Sequence, residues 1–130
     1  MSVASNPHQL GPEGEELAAN YLVEKGYRII ARNYRFHHKE IDIIALHQKT
    51  LCFIEVKTRL SATKGHPAEA VTLAKQREIV KVAKAYLASS GKGECDCRFD
   101  VIAIQVKSQA ENQISSFTLE HFMDAFWADS

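Results

Sequence analysis

"KEIDIIALHQKTLCFIEVKTR", residues 39–59, holds two runs of β-forming residues on either side of the polar HQKT. Such runs joined by a short polar link read as a hairpin. Side chains alternate across a strand, so Glu40, Asp42, Ile44 and Leu46 share one face and Ile41, Ile43 and Ala45 the other. On the second run Leu51, Phe53, Glu55 and Lys57 oppose Cys52, Ile54 and Val56. A turn centred on Gln48 and Lys49 pairs Ile43 with Ile54, Ala45 with Cys52, Ile44 with Phe53 and Leu46 with Leu51. It also pairs Ile41 with Val56, Asp42 with Glu55 and Glu40 with Lys57. One face is then wholly apolar, and a one-residue slip would bury a charge there.

This register raises a physical problem. Opposed residues on antiparallel strands have Cα atoms roughly 4.5 to 5.5 Å apart, and like charges at that range are destabilising. Asp42 against Glu55 therefore needs compensation. A shared proton would supply it by raising a carboxyl pKa, and so would a hard divalent cation held between the oxygens. Lys57 follows Glu55 by two residues and reaches the same space. Two carboxylates and a lysine so placed suit metal-dependent phosphodiester hydrolysis. The plainer alternative is a solvent-facing strand surface with ordinary Glu/Lys pairing.

Outward from the hairpin, "EGEELAANYLVEK" (13–25) has helical spacing at Leu17, Ala18, Tyr21 and Leu22, with Pro12 near its start and Gly26 after its end. Glu15 falls at the margin of the apolar stripe and can point toward the core edge. "YRIIARNY" (27–34) reads as a strand, and "TRLSATKGHP" (58–67) has the composition of a loop. A long helix is expected from Ala68 to about Ser89, with Val71, Ile79, Val80, Val82, Ala83, Tyr86 and Leu87 on its apolar arc. Arg77, Lys81 and Lys84 lie opposite, whereas Lys75 and Gln76 fall within the arc. "SSGKGECDC" reads as a turn, "RFDVIAIQV" (98–106) as a strand, "KSQAENQ" as a loop and "ISSFTLE" (114–120) as a last strand. The tail "HFMDAFWAD" is expected to be a short helix packing Phe122, Phe126 and Trp127 inward. Helix, three strands, helix, two strands describes one α/β or α+β domain over residues 1–130, with helices covering a mixed sheet.

The composition, 45% hydrophobic and 25% charged, is that of an ordinary globular chain. An odd count of three cysteines argues for a reducing compartment, and no apolar run approaches the ~18 residues of a membrane span. A cytoplasmic location without membrane attachment is expected. Net charge is zero but uneven: residues 25–92 carry 14 Lys/Arg against 5 Asp/Glu, and the flanks 2 against 11. The basic middle surrounds Glu40, Asp42 and Glu55 and suits a phosphate backbone; solvated faces that neutralise one another on folding are the alternative. Glycine-rich phosphate loops of the Walker pattern are absent.

In this order, "GPEGEELAANYLVEKGYRIIARNYR", "EIDIIA", "FIEVKTR", "GHPAEAVTLAKQREI" and "RFDVIAI" resemble the YraN-like family of uncharacterised bacterial proteins. That family is regarded as a branch of the restriction-endonuclease-like superfamily, akin to archaeal Holliday-junction resolvases. The resemblance implies a restriction-endonuclease-like core, a mixed five-stranded sheet flanked by helices. It also implies an endonuclease dependent on Mg²⁺ or Mn²⁺ and acting on DNA, including branched DNA. Asp42 and Glu55, with the Val56 carbonyl, match the superfamily's metal ligands; Lys57 matches its catalytic lysine and Glu15 the acid of its first helix. Lys75 and Gln76 match supporting positions of the second helix. Arg32, Arg35 and Arg59, with Lys75, fall where basic residues would contact a nucleic-acid backbone. Lys39 stands where the family usually has Gly. A homodimer would place two such sites on two strands, and "HFMDAFW" offers an apolar contact for one. A non-catalytic nucleic-acid-binding module with the same fold remains the alternative.

Overall fold

The computed structural model describes residues 7–60, 71–91 and 95–128, the side chains of residues 7–9 excepted. Its elements are α1 (Pro7–Glu24), β1 (Arg28–Phe36), β2 (Lys39–His47), β3 (Thr50–Arg59), α2 (Leu73–Ser90), β4 (Asp96–Ala110) and β5 (Gln113–Phe126). The strands form one mixed sheet in the order β1-β2-β3-β4-β5. The first three run as an antiparallel meander. Strands β3 and β4 are parallel, with α2 in the connection, and β5 returns antiparallel at the far edge. This α/β architecture is consistent with a restriction-endonuclease-like core.

The two helices cover opposite faces. On one, Ala18, Ala19 and Leu22 of α1 pack on Ile43, Ala45, Cys52, Ile54, Ile102 and Ile104. On the other, Ile79, Val82, Ala83 and Tyr86 of α2 pack on Ile44, Leu51, Phe53, Phe99 and Val101. Strand β3 lies between both layers, and every residue from Leu51 to Val56 is buried. A central strand covered on both faces is a near-continuous apolar run. Glu55 is the one charged residue within it.

The hairpin register is as expected from Ile43–Ile54 through Leu46–Leu51, and the turn falls at Gln48–Lys49, with Gln48 at φ 57°. Departures from the sequence expectations lie mainly at element ends. Helix α1 begins at Pro7, so Pro12 sits inside it. Helix α2 is capped by Thr72, whose side chain accepts from Lys75 N–H. Residues 61–67 of the loop expected at 58–67, the helix start at Ala68 and residues 92–94 lie outside the described residues. Thr58 and Arg59 belong to β3. "KSQAENQ" is no loop: β4 runs to Ala110 and turns at Glu111 and Asn112, both at positive φ, as a tight two-residue hairpin requires.

The expected C-terminal helix is instead the end of β5. Phe122 and Phe126 do pack on the α2-side core. Their four-residue spacing suits a helix, but here it spans an irregular strand: Phe99 pairs with Phe126 while Val101 pairs with Phe122. The extra residues include Asp124 at φ 55°, whose N–H is taken by the Asp100 carboxylate at 2.9 Å. Trp127 does not pack inward; it is 73% exposed.

Candidate metal centre

The site begins where β2 and β3 stop pairing. Their ladder ends at Ile43–Ile54, while β2 stays paired to β1 as far as Phe36–Lys39. Asp42 and Glu55 are thus not ladder partners, contrary to the register extended from sequence. Asp42 Oδ2 instead accepts a 2.8 Å hydrogen bond from Val56 N–H and satisfies a donor the ladder has released. The face pattern breaks at the same point. Ile41 belongs to the α2-side core and Ile43 to the α1-side core, although regular alternation would put them together.

Helix α1 is drawn against the end of β3 by Gly14, where a Cβ would overlap the Thr58 hydroxyl. That close approach brings Glu15, the next residue, to the strand ends. Carboxylate oxygens of Glu15, Glu40 and Asp42 lie within 4.8 Å of one another. Asn33 on β1 holds two of them, its Nδ2 donating to Glu15 Oε1 at 3.0 Å and to Glu40 Oε2 at 2.7 Å. It does so from a left-handed conformation, φ 52°, which asparagine tolerates better than most residues.

Glu55 is 5% exposed. Its Oε2 lies 3.8 Å from Lys57 Nζ and 3.9 Å from Lys75 Nζ, whereas its Oε1 is buried without a hydrogen-bond partner among the described residues. Burial raises the Glu55 pKa, and Lys75 and Lys57 work against that rise. Asp42 has no lysine partner among the described residues. Burial first, then the charges of Glu55 and Glu15, push its pKa up to about 8, against the opposing Val56 hydrogen bond. A proton on Asp42 is therefore one way to relieve the cluster, and that proton can be donated to Glu55.

Beside the carboxylates lies a cleft of about 410 Å³ lined by Leu10, Gly11, Glu15, Val56, Lys57, Thr58 and Leu60. Of the residues expected at the site, Glu15, Asp42, Glu55, Lys57 and Lys75 are brought together, and Val56 joins them through its N–H. Gln76 is not in contact with the carboxylates; its Nε2 donates to the Val71 carbonyl at 2.9 Å. Lys75 points at Glu55 rather than outward. Arg32 pairs with Glu16 at 2.9 Å and Arg35 with Glu40 at 3.4 Å. Arg59 lies beside Lys57 on a shallow surface shared with Thr118 and Glu120.

The sequence marks no role for Asn33, and places Glu40 only on the face it shares with Asp42. The signal for Glu40 was its face, shared with Asp42; the positive φ of Asn33 leaves no such trace. A second buried acid, Asp100, was also missed. It accepts from Arg98 Nε and Nη2, both at 2.9 Å, and from His121 Nε2 at 2.7 Å. Burial pushes its pKa up, but the hydrogen bonds from His121, Arg98 and Asp124 N–H outweigh that, and the carboxyl ends below its ordinary value. An ionised Asp100 makes His121 Nε2 a donor, and the Tyr21 hydroxyl lies 3.0 Å from Nδ1 on the other side of the ring. Arg98 also donates to Tyr27 Oη at 2.8 Å, so this network ties α1 and the turn that follows it to β4 and β5.

The sequence pattern described as "Uncharacterised protein family UPF0102" matches residues 14–104. The chain belongs to this family. A UPF0102 protein of Chlorobium limicola is 59% identical over 125 residues, covering 96% of this chain and 97% of the relative. One of Chlorobium phaeobacteroides is 58% identical over 127 residues, covering 98% and 100%. A more distant one, of Caldanaerobacter subterraneus, is 40% identical over 121 residues, covering 93% and 97%. The UPF0102 block thus contains Glu15, Asn33, Glu40, Asp42, Glu55, Lys57 and Lys75, every member of the site. It is the YraN-like family expected from the motifs.

Proposed function

We propose that this UPF0102 protein is a Mg²⁺- or Mn²⁺-dependent endonuclease that hydrolyses phosphodiester bonds of DNA, with branched DNA among its substrates. The observation that carries this reading is the buried Oε1 of Glu55, which has no donor among the described residues once Asp42 is ionised, beside an Asp42 whose pKa is pushed up to about 8. An acceptor without a donor and a carboxyl short of positive charge are both relieved by a hard cation with oxygen ligands. Asp42 and Glu55 would hold that cation with the Val56 carbonyl, and Glu15 and Glu40 would complete the acidic rim. When bound, such an ion supplies a water of lowered pKa and positive charge opposite the phosphate.

The chain's own groups do the rest. Asp42 would give up its proton on binding such a cation. Lys57, anchored 3.8 Å from Glu55 at the cleft edge, orients the attacking water and stabilises charge developing on the phosphate. Lys75 holds the other side of Glu55. Asn33 fixes Glu15 and Glu40, so the rim is set before substrate arrives. The two lysines also favour a second reading: they neutralise much of the Glu55 charge without any metal, as a non-catalytic nucleic-acid-binding module would need.

Purified protein incubated with linear, flapped and four-way DNA separates the two. Cleavage that requires Mg²⁺ or Mn²⁺, stops with chelator and disappears in Asp42→Asn and Lys57→Ala is expected. Cleavage that survives both substitutions would belong to a contaminant and sink the assignment. Salt-dependent binding without metal-dependent cleavage would establish the binding module instead.

A further inference from the structure

Away from the carboxylates, the outer side of α2 and the end of β5 form a groove of about 280 Å³. Trp127 stands on one side, and Leu73, Arg77, Val80, Lys81 and Lys84 on the other. Arg77, Lys81 and Lys84 recur at helical spacing, so three cations lie along about 10 Å of one helix face. All three are exposed. None forms an ion pair or hydrogen bond with a described residue, in contrast to Arg32, Arg35 and Arg98. Leu73 and Trp127 are 66% and 73% exposed. The charge is thus of one sign, unpaired among the described residues, and set beside a bare aromatic ring.

We infer that this groove binds a single-stranded DNA segment, with an unpaired base stacked on Trp127 and its flanking phosphates on Arg77, Lys81 and Lys84. An apolar partner protein would meet three unneutralised cations, and a duplex keeps its bases stacked on one another. Unpaired bases on a phosphate chain satisfy both the indole face and the cationic stripe. Gln76 also lines the groove, next in sequence to Lys75, which touches Glu55. A strand in the groove therefore runs toward the carboxylate cluster along α2. The inference rests on the reading that this chain acts on DNA and specifies its substrate as one with an unpaired stretch beside the cleavage point.

The chain has a single tryptophan, so its fluorescence reports the contact directly. The full chain is titrated in chelator with oligo(dT), with a blunt duplex of equal length and with oligo(rU), and a labelled oligonucleotide gives the affinity by anisotropy. Quenching by oligo(dT) and not by the duplex is expected. The log–log salt slope is expected near about −2, from three phosphate contacts at about −0.7 each. Trp127→Ala should weaken oligo(dT) binding about 5- to 150-fold, Trp127→Phe should restore most of it, and circular dichroism should be unchanged in both. Changing Arg77, Lys81 and Lys84 to Gln should remove the salt slope. Oligo(dT) binding that leaves the fluorescence unchanged, or survives Trp127→Ala at full strength, would overturn the inference. Tighter binding of oligo(rU) than oligo(dT) would also overturn it, by making RNA the ligand. The two readings fail separately: Asp42→Asn should abolish cleavage and leave quenching intact, whereas absent quenching with Asp42-dependent cleavage would remove this groove alone.

Discussion

Replacing Asp42 by Asn should make the metal-free protein more stable, although it removes a proposed ligand. A carboxyl that ordinarily titrates at 3.8 and is here pushed up to about 8 resists ionisation in the folded chain. The whole difference, at 1.36 kcal/mol per pKa unit, caps the cost of a charged Asp42 at about 6 kcal/mol. Part of that burden is carried jointly by Glu55 and Glu15, so a gain of about 2 kcal/mol is expected from removing the charge. In a chain of this length that is about 6 °C in Tm. The Asn oxygen can still accept from Val56 N–H, and its amide can donate to Glu55. The sign follows from proton counting. Between about pH 4 and 8 the folded state holds a proton that the unfolded state has released, so wild-type stability falls with rising pH across that window. The advantage of Asp42→Asn should be near zero at pH 4.5, grow through pH 7 and level off above pH 8. Urea unfolding of both proteins in chelator, from pH 4.5 to 9, measures it. A variant less stable than wild type at pH 8.5, or a difference independent of pH, would refute the reasoning.

Gly14→Ala should destabilise the fold by about 1 to 3 kcal/mol, because the new methyl overlaps Thr58 and α1 must move away from β3; it should also weaken Mn²⁺ binding through Glu15. Thr58→Ala in the same chain should recover part of both losses, and thermal melts with Mn²⁺ titrations read them. Asp100→Asn should cost about 3 kcal/mol at pH 7, since it removes the charge partner of the half-buried Arg98 from a fully buried position. The stabilisation from ionised Asp100 is complete above its ordinary value of 3.8 and is lost as pH falls through its depressed value. The gap between Asp100→Asn and wild type in urea unfolding should therefore shrink in strong acid.

What could be read from the sequence follows from what a one-dimensional pattern encodes. The hairpin's parity is legible because a slip by one residue would place Asp42 or Glu55 among Ile and Val, whereas a slip by two keeps the same faces and only the turn at Gln48–Lys49 decides against it. The break beyond Ile43 is not legible, because a strand that leaves one neighbour and keeps the other has the same residues as one that keeps both. That break decides the site: it frees the Val56 N–H for Asp42 and opens room for the carboxylates. Glu15 was visible as a charge at the margin of an apolar stripe. How near it comes depends on Gly14 against Thr58, a contact between residues 44 apart in sequence. At the other end, Phe122 and Phe126 share a side in either a helix or a strand, so their spacing could not separate the two. The bulge at Asp124, fixed by the side chain of Asp100, settled it in favour of the strand. The sequence expectation of Trp127 packing inward depends on the expected short helix; at the end of a strand the ring is instead exposed beside α2.

The central claim, that Asp42 and Glu55 form a divalent-cation site, is tested most directly by calorimetric titration of Mn²⁺ at pH 7 in two buffers of different ionisation enthalpy. Because metal must displace the proton on Asp42, saturable binding with release of about one proton per ion is predicted, and both should be lost in Asp42→Asn. No saturable binding, or binding that Asp42→Asn and Glu55→Gln leave unchanged, would contradict it.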